Sequence, residues 1–296
     1  MAGCADWSSV TVSETTKWPG GLILRRIACL ALVTVTLGTA PAAAQGMSDS
    51  LFDTFNIKLE GSWVRSATTI RLDSEGQGKG TTLSFEDDLG LPDKKTVPSL
   101  SFEWQFARKH RLGVRWQDIN RGSVTQVLEE IEWGGEIIPI DAEVTLDFDI
   151  RSLSADYTYY PWIKERWAGG IGLGIRSMGL RTILRADGSE LEAEIDGTAP
   201  LPYINFEYRR MLGERWRLKA QVGWLEVKIS DIKGGQYIGR LAAEYLSTRR
   251  WGFGAAINYS AIDVDWESIK GPEEDLLTAI IDLDLDDFSL YLRFRW

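Results

Sequence analysis

The chain has 296 residues, with 33 Lys and Arg against 43 Asp and Glu, for a formal net charge of −10. That acidic balance excludes general nucleic-acid binding, which needs a basic footprint, and the length suits one large β domain or two ordinary ones. The 13 Trp, 9 Tyr and 10 Phe are a heavy aromatic load for a chain whose mean hydropathy, −0.16, is that of a soluble protein.

In chain order, the first feature is a leader. Arg25 and Arg26 precede the apolar run Ile27 to Gly38, and Ala42-Ala43-Ala44 follows as an A-x-A cleavage site. The apolar run is about a dozen residues, whereas a spanning helix needs roughly 20. Residues 1–44 are therefore expected to be an exported signal peptide with an extended N-terminus, cut after Ala44. Both cysteines, Cys4 and Cys29, leave with it, so no disulfide or thiol chemistry is expected in the mature chain. Residues 45–52 form a short segment before the main domain, 53–296.

From residue 53 the dominant signal is period-two alternation, the mark of a strand with one apolar and one polar face. It runs through Phe55–Trp63, Leu100–Phe106, Leu112–Trp116, Val144–Ile150, Trp167–Ile175, Ile204–Tyr208, Trp216–Trp224, Tyr237–Tyr245, Phe253–Tyr259 and Phe288–Trp296. Short basic connections, such as Arg108-Lys109-His110 and Thr248-Arg249-Arg250, alternate with longer ones flanked by acids. That is the pattern of an up-and-down meander. Ten strands are expected, with eight or twelve open because residues 81–86 read either as a strand or as part of a long first loop.

Ten long strands leave two edges unless the sheet closes, so an all-β, closed antiparallel barrel is expected. A ring of this size cannot hold four or five large apolar side chains per strand inside. The apolar parity then faces outward, where only lipid tolerates it, and the glycine- and charge-rich parity faces the lumen. Tyr157, Tyr159, Trp162, Trp167, Trp216, Trp251 and Trp296 cluster near the short turns, where an aromatic girdle of a transmembrane barrel would lie. Strands of roughly 20 residues exceed the ~10 needed to cross, and the surplus would stand above the membrane.

The leader, the even strand count and the terminal Phe288-x-Leu290-x-Leu292-x-Phe294-x-Trp296 together resemble the outer-membrane β-barrel proteins of Gram-negative bacteria. The segment Glu86-Asp87-Asp88-Leu89-Gly90-Leu91 also resembles one in uncharacterised members of that class. The resemblance implies that the aromatic C-terminal strand is an address for the barrel-assembly machinery, with periplasmic chaperones as further partners during biogenesis. It implies periplasmic termini, and outer-membrane lipids with lipopolysaccharide as surroundings. Enzymes of that class generally use a histidine near the outer leaflet. His110, the one histidine, sits in a basic turn at the other end, beyond the reach a general base needs. No catalytic residue, cofactor or metal centre is expected, and an outer-membrane hydrolase is the weak exception.

The inward parity carries Lys58, Glu60, Glu103, Arg111, Arg115, Arg176, Glu207, Arg209, Arg217, Lys219, Arg240, Glu244, Arg293 and Arg295. Paired, these charges would fill the lumen of a structural or surface-interaction barrel. Unpaired, they would line a narrow, weakly anion-preferring channel for small solutes. Acids crowd the presumed outer end: Glu86 to Asp88, Glu129 to Glu136, Glu190 to Asp196, Asp263 to Glu267 and Glu273 to Asp275. They are expected to be solvated, or at most to hold Ca²⁺ or Mg²⁺ weakly, since no EF-hand spacing is present. Apolarity changes parity between Ile150 and Leu153 and between Leu285 and Phe288. A β-bulge at each place is the expected cause, with an apolar pocket for a lipid or hydrophobic solute in the upper barrel as a further reading. The rival fold is a soluble periplasmic barrel with its aromatic parity turned inward around such a cavity, and carbonate would extract it without detergent.

Overall fold

A computed structural model of the chain describes residues 51–74, 80–133, 136–186, 192–229, 232–270 and 276–296. The leader and its cleavage site at Ala42 and Ala44 lie outside the described residues, as do Glu190 and Glu273 to Asp275.

The strands are β1 (Phe55–Ser74), β2 (Thr82–Ser84), β3 (Lys94–Ala107), β4 (His110–Gln126), β5 (Ile131–Trp133), β6 (Glu136–Ile138), β7 (Glu143–Ile163), β8 (Trp167–Ala186), β9 (Glu192–Leu212), β10 (Trp216–Ile229), β11 (Ile232–Tyr245), β12 (Trp251–Lys270) and β13 (Leu276–Arg295). Among the described residues, ten long strands pair with their chain neighbours, all antiparallel, and β1 closes the ring against β13. At the seam Phe55 and Trp296 exchange backbone hydrogen bonds of 3.3 and 3.2 Å. Closure satisfies the donors and acceptors that an open edge would leave bare, which lipid does not allow. Residues 82–84 form only a three-residue strand laid on the upper part of β1, from Thr69 to Arg71. The hairpin β5–β6 belongs to the loop between β4 and β7.

The barrel has a turn end, with Arg108-Lys109 and its like, and a loop end. In the half toward the turns, large apolar side chains point out. Leu59, Leu100, Leu112, Leu173, Val222, Phe253 and Leu290 are all exposed. The belt on β13 runs from Phe288 to Trp296, and nine residues at about 3.3 Å each, tilted about 40°, span about 23 Å. That matches the apolar band of about 25 Å on transmembrane barrels. Aromatic rings edge it on both sides. Trp104, Tyr159, Trp216, Trp251 and Trp296 sit at the turn end; Trp63, Trp116, Trp224 and Phe288 sit on the loop side. Trp63 stacks on Phe288 with ring centroids 5.7 Å apart.

Above the belt the faces exchange roles. Val144, Leu146, Phe148 and Ile150 point inward and are buried, although alternation in the sequence groups them with the outward apolar parity. The expected bulges are absent. β7 and β8 stay in unbroken register through Ile150–Leu180 and Leu153–Ser177, and β13 pairs with β1 and β12 without interruption from Leu285 to Phe288. Register breaks occur instead at Gln105/Ala107, Tyr159/Trp162 and Trp266/Ile269. The pleat is therefore continuous, and the chemistry of its two faces changes. Below, the wall is apolar outside, as a wall that faces lipid must be. Above, it is apolar inside, as in any barrel standing in water.

This exchange predicts two different costs for one substitution. Leu173→Arg, mid-belt and 63% exposed, should lower stability by about 2–4 kcal/mol. Val124→Arg, 64% exposed on the upper wall, should cost about 0–0.5 kcal/mol as a surface change. Urea unfolding of the two variants in lipid vesicles would measure both. Equal costs would show that the belt does not sit in hydrocarbon.

Candidate functional site: the filled lumen

The lumen is the place where functional side chains converge, and it is built in layers. At the turn end the N-terminal segment folds across the opening. Leu51 packs with Met211 and Leu246, and Phe52 meets Tyr160 edge to face at 4.8 Å. Asp53 then reaches up into the barrel, accepting hydrogen bonds from Arg217 at 2.8 Å, from Arg295 at 2.9 Å and from Arg293. Glu244 receives Arg217 at 2.8 Å and Arg293 at 2.7 Å from the layer above. The Arg293 side chain is entirely enclosed.

The next layer joins two carboxylates to four cations. Glu207 contacts Arg111 at 2.8 Å, Lys219 at 3.1 Å and Arg209, and the Tyr160 hydroxyl donates to it. Glu103 contacts Lys219 at 2.8 Å, Arg209 at 3.0 Å, Arg111 at 3.3 Å and Lys58 at 3.4 Å. Asp156 holds Arg111 at 2.6 Å. Higher still, Glu60 is shared between Arg115 and Arg240, each at 3.1 Å. Buried ions are tolerated only when each has partners of this quality, since desolvation costs several kcal/mol per ion.

Wall glycines make room for these large side chains. A Cβ on Gly174 would fall 2.3 Å from the Tyr203 ring, and one on Gly254 would fall 2.5 Å from Tyr291. The small residues on one strand are thus the counterpart of the rings on its neighbour.

All fourteen charged residues singled out from the inward parity lie on the lumen side, and thirteen join the pairings just described. Arg176 differs. Its guanidinium donates to the Ser260 hydroxyl at 2.8 Å. Sequence reasoning omitted Asp53, Asp156 and Asp287. The last two alternate with the outward residues Tyr157 and Phe288, so parity marks them as inward; nothing local marks Asp53.

The loop end is closed by a lid. Phe85, Leu89 and Leu91 are buried in the upper core beside Phe148, Val144 and Leu146. The Ser84 N–H donates to Asp88 at 2.7 Å and closes the turn, while Gly90 takes the left-handed φ of 63° that favours glycine. Glu86, expected among the solvated acids, is turned inward instead. It accepts from the Thr68 N–H at 2.7 Å and from the Arg121 guanidinium at 2.5 Å. The Glu86-Asp87-Asp88-Leu89-Gly90-Leu91 segment is the plug of the upper barrel: residues 85, 89 and 91 supply its apolar face and Glu86 its latch. Across the mouth, the Glu132 N–H donates to the Thr81 hydroxyl at 3.1 Å, tying the β5–β6 hairpin to the lid.

Outside the lumen, His110 sits in the turn-end girdle, its Nδ1 2.6 Å from the Tyr157 hydroxyl and its ring near Phe106 and Tyr159. No group of three His, Cys, Asp or Glu side chains among the described residues is placed to hold a metal ion. On the outer wall above the belt, Asp263 faces Asp282 across β12 and β13. Partial burial and the hydrogen bond with Asp282 push the Asp263 carboxyl up to about 6, from an ordinary 3.8. The folded state therefore holds this proton more tightly than the unfolded chain. Its stabilising contribution is complete below about pH 4 and disappears as pH rises through about 6. Asp263→Asn should remove that loss, so wild type and variant should diverge in unfolding midpoint between pH 4 and 6.5. Parallel profiles would show the pair to be fully hydrated.

No protein-family model matches the sequence, and no curated protein sequence matches it. Solved structures do. The chain is similar to the β domain of the Bordetella autotransporter BrkA, with 14% identity, 82% of this chain and 100% of that one covered, and a TM-score of 0.47. It is similar to the outer-membrane protein OprG of Pseudomonas aeruginosa, at 14% identity, 82% and 97% coverage and a TM-score of 0.39. Neisserial surface protein A aligns at 12% identity, 82% and 97% coverage and a TM-score of 0.31.

Proposed function

We propose that this chain is an integral β-barrel protein of the Gram-negative outer membrane with a closed lumen and a structural or surface-interaction role carried by its loop end. One observation carries the reading: the lumen is stopped twice, by a paired-charge plug in the membrane half and by an apolar core and lid above it. A pore needs a continuous water path, and charges committed to one another are not a filter. The basic turns would face the phospholipid leaflet of the periplasmic side, where cations are favoured. The acidic loop end would face lipopolysaccharide, with Ca²⁺ or Mg²⁺ as weak bridges. Residues 1–44 serve as the export leader, cut after Ala44. Phe288, Leu290, Leu292, Phe294 and Trp296 form the signal for the barrel-assembly machinery, reached with the help of periplasmic chaperones. A non-catalytic role belongs to this reading: His110, the one histidine of the chain, lies in the turn-end girdle, away from the loop end.

The test is single-channel recording of the refolded protein in a planar bilayer. Inserted but silent barrels are expected. Stable unitary currents with anion preference would replace this reading with the narrow channel. A second check concerns assembly: deleting Trp296 removes one ring of the seam, stacked on Phe55 at 5.4 Å, and the terminal aromatic. The fraction of protein folded in the outer membrane should fall several-fold, and an unchanged fraction would remove the signal role.

A further inference from the structure

Between the charge plug and the apolar core lies a cavity of about 130 Å³. Its two ends differ in chemistry. Toward the loop end it is roofed by Val64, Ile119, Ile150, Met178, Ile262 and Leu285; toward the turn end it meets Lys219, Arg111 and Glu103. Six cations line it, Lys58, Arg111, Arg115, Arg176, Lys219 and Arg240, against four carboxylates, Glu60, Glu103, Asp156 and Asp287.

Five of the six cations are matched. Glu60 serves Arg115 and Arg240, Glu103 serves Lys58 and Lys219, and Asp156 serves Arg111. Arg176 is not. Among the described residues it pairs with no carboxylate; its Nη1 donates to the neutral Ser260 hydroxyl, and its Nε is buried without a partner. A guanidinium largely withdrawn from water without a counter-ion is costly. Elsewhere in this lumen the chain avoids that cost by supplying carboxylates.

We propose that the cavity is a binding site for a small amphipathic monocarboxylate, with Arg176 as its counter-ion and the apolar roof as the seat of its alkyl chain. Arg176 is the lining cation that none of these carboxylates meets, which asks for a negative charge beside it. The apolar roof favours an anion that carries an alkyl chain over a compact oxoanion such as phosphate or sulfate, which would leave Ile150 and Met178 uncovered. Size bounds the chain length: an apolar cavity of about 150 Å³ holds benzene, so five carbons is about the longest carboxylate this one admits. The site goes beyond the structural role proposed above, and binding and conductance are read independently, so either can fail alone.

The experiment titrates pentanoate into the detergent-refolded protein by calorimetry, with a parallel sample refolded in its presence so that entry is not limiting. Wild type should bind, and pentanamide, which has the same shape without the charge, should bind at least tenfold more weakly. Arg176→Met should lose at least tenfold in pentanoate affinity while Arg176→Lys keeps part of it. No heat with wild type in either sample, equal binding of pentanoate and pentanamide, or inorganic phosphate binding as tightly as pentanoate would each overturn the proposal. Should Arg176→Met not fold, the comparison of acid with amide on the wild-type protein decides.

Discussion

Glu207→Gln is expected to destabilise the barrel by about 3–5 kcal/mol, the usual cost of removing one member of a buried ionic network. Glu207 stands in contact with Arg111, Arg209 and Lys219 and accepts from Tyr160. The amide keeps the shape and loses the charge, leaving Arg111, Arg209 and Lys219, together with Lys58, to share Glu103 and Asp156. Urea unfolding in lipid vesicles, followed by tryptophan fluorescence, measures the loss. Adding Lys219→Met should recover about 2 kcal/mol, because the pair then leaves together and the remaining charges balance better. A cost below about 1 kcal/mol would mean that water screens this layer, and the plug would then be a hydrated filter. The closed-lumen reading would fall with it.

Phe85→Ala should release the lid. The ring is fully buried and meets Phe148 edge to face at 5.1 Å, and truncating such a side chain costs about 3–5 kcal/mol. Since the β-ladder of the barrel does not run through residues 85–91, the cost should appear as local opening. Hydrogen exchange at Leu91, whose N–H donates to the Phe85 carbonyl at 2.8 Å, should accelerate by at least a hundredfold, and proteolysis should cut near Asp87. The barrel strands should keep their protection. If strand amides exchange as fast as Leu91, the lid and barrel fold as one unit and the plug is part of the scaffold. Arg121→Met is the milder companion: it removes the charge partner of Glu86 while leaving the Thr68 N–H bond, and should open the lid by a smaller factor.

The positions of the ten strands were legible because an exposed belt and a polar lumen impose a period of two that survives in every strand. The place of His110 at the turn end and the outward aromatic termini follow from the same periodicity, whereas its seat among the girdle rings does not. Parity also reaches Asp156 and Asp287, once Tyr157 and Phe288 are taken as outward. What alternation does not carry is the sign of a face. Val144 to Ile150 alternate as cleanly as Leu290 to Trp296, yet one set lines the lumen and the other meets lipid. The difference is height along the barrel axis, and height depends on strand tilt and stagger around the ring.

Bulges were expected where apolarity changed parity because a sequence offers no other local device for moving side chains between faces. The structure needs none, since the medium outside the wall changes from hydrocarbon to water while the pleat runs on. The sequence by itself determined a closed antiparallel barrel of about ten strands and the charged character of its membrane-level lumen, and the ring then settled the count at ten. Only the tertiary structure decided which charges meet. Asp53 finds Arg293 across 240 residues and Glu86 finds Arg121 across 35, and closing the ring is what brings such residues within reach. It also decided that Arg176 is left facing a cavity. Pairing is a property of distances across the lumen, and those distances are fixed only when β13 meets β1.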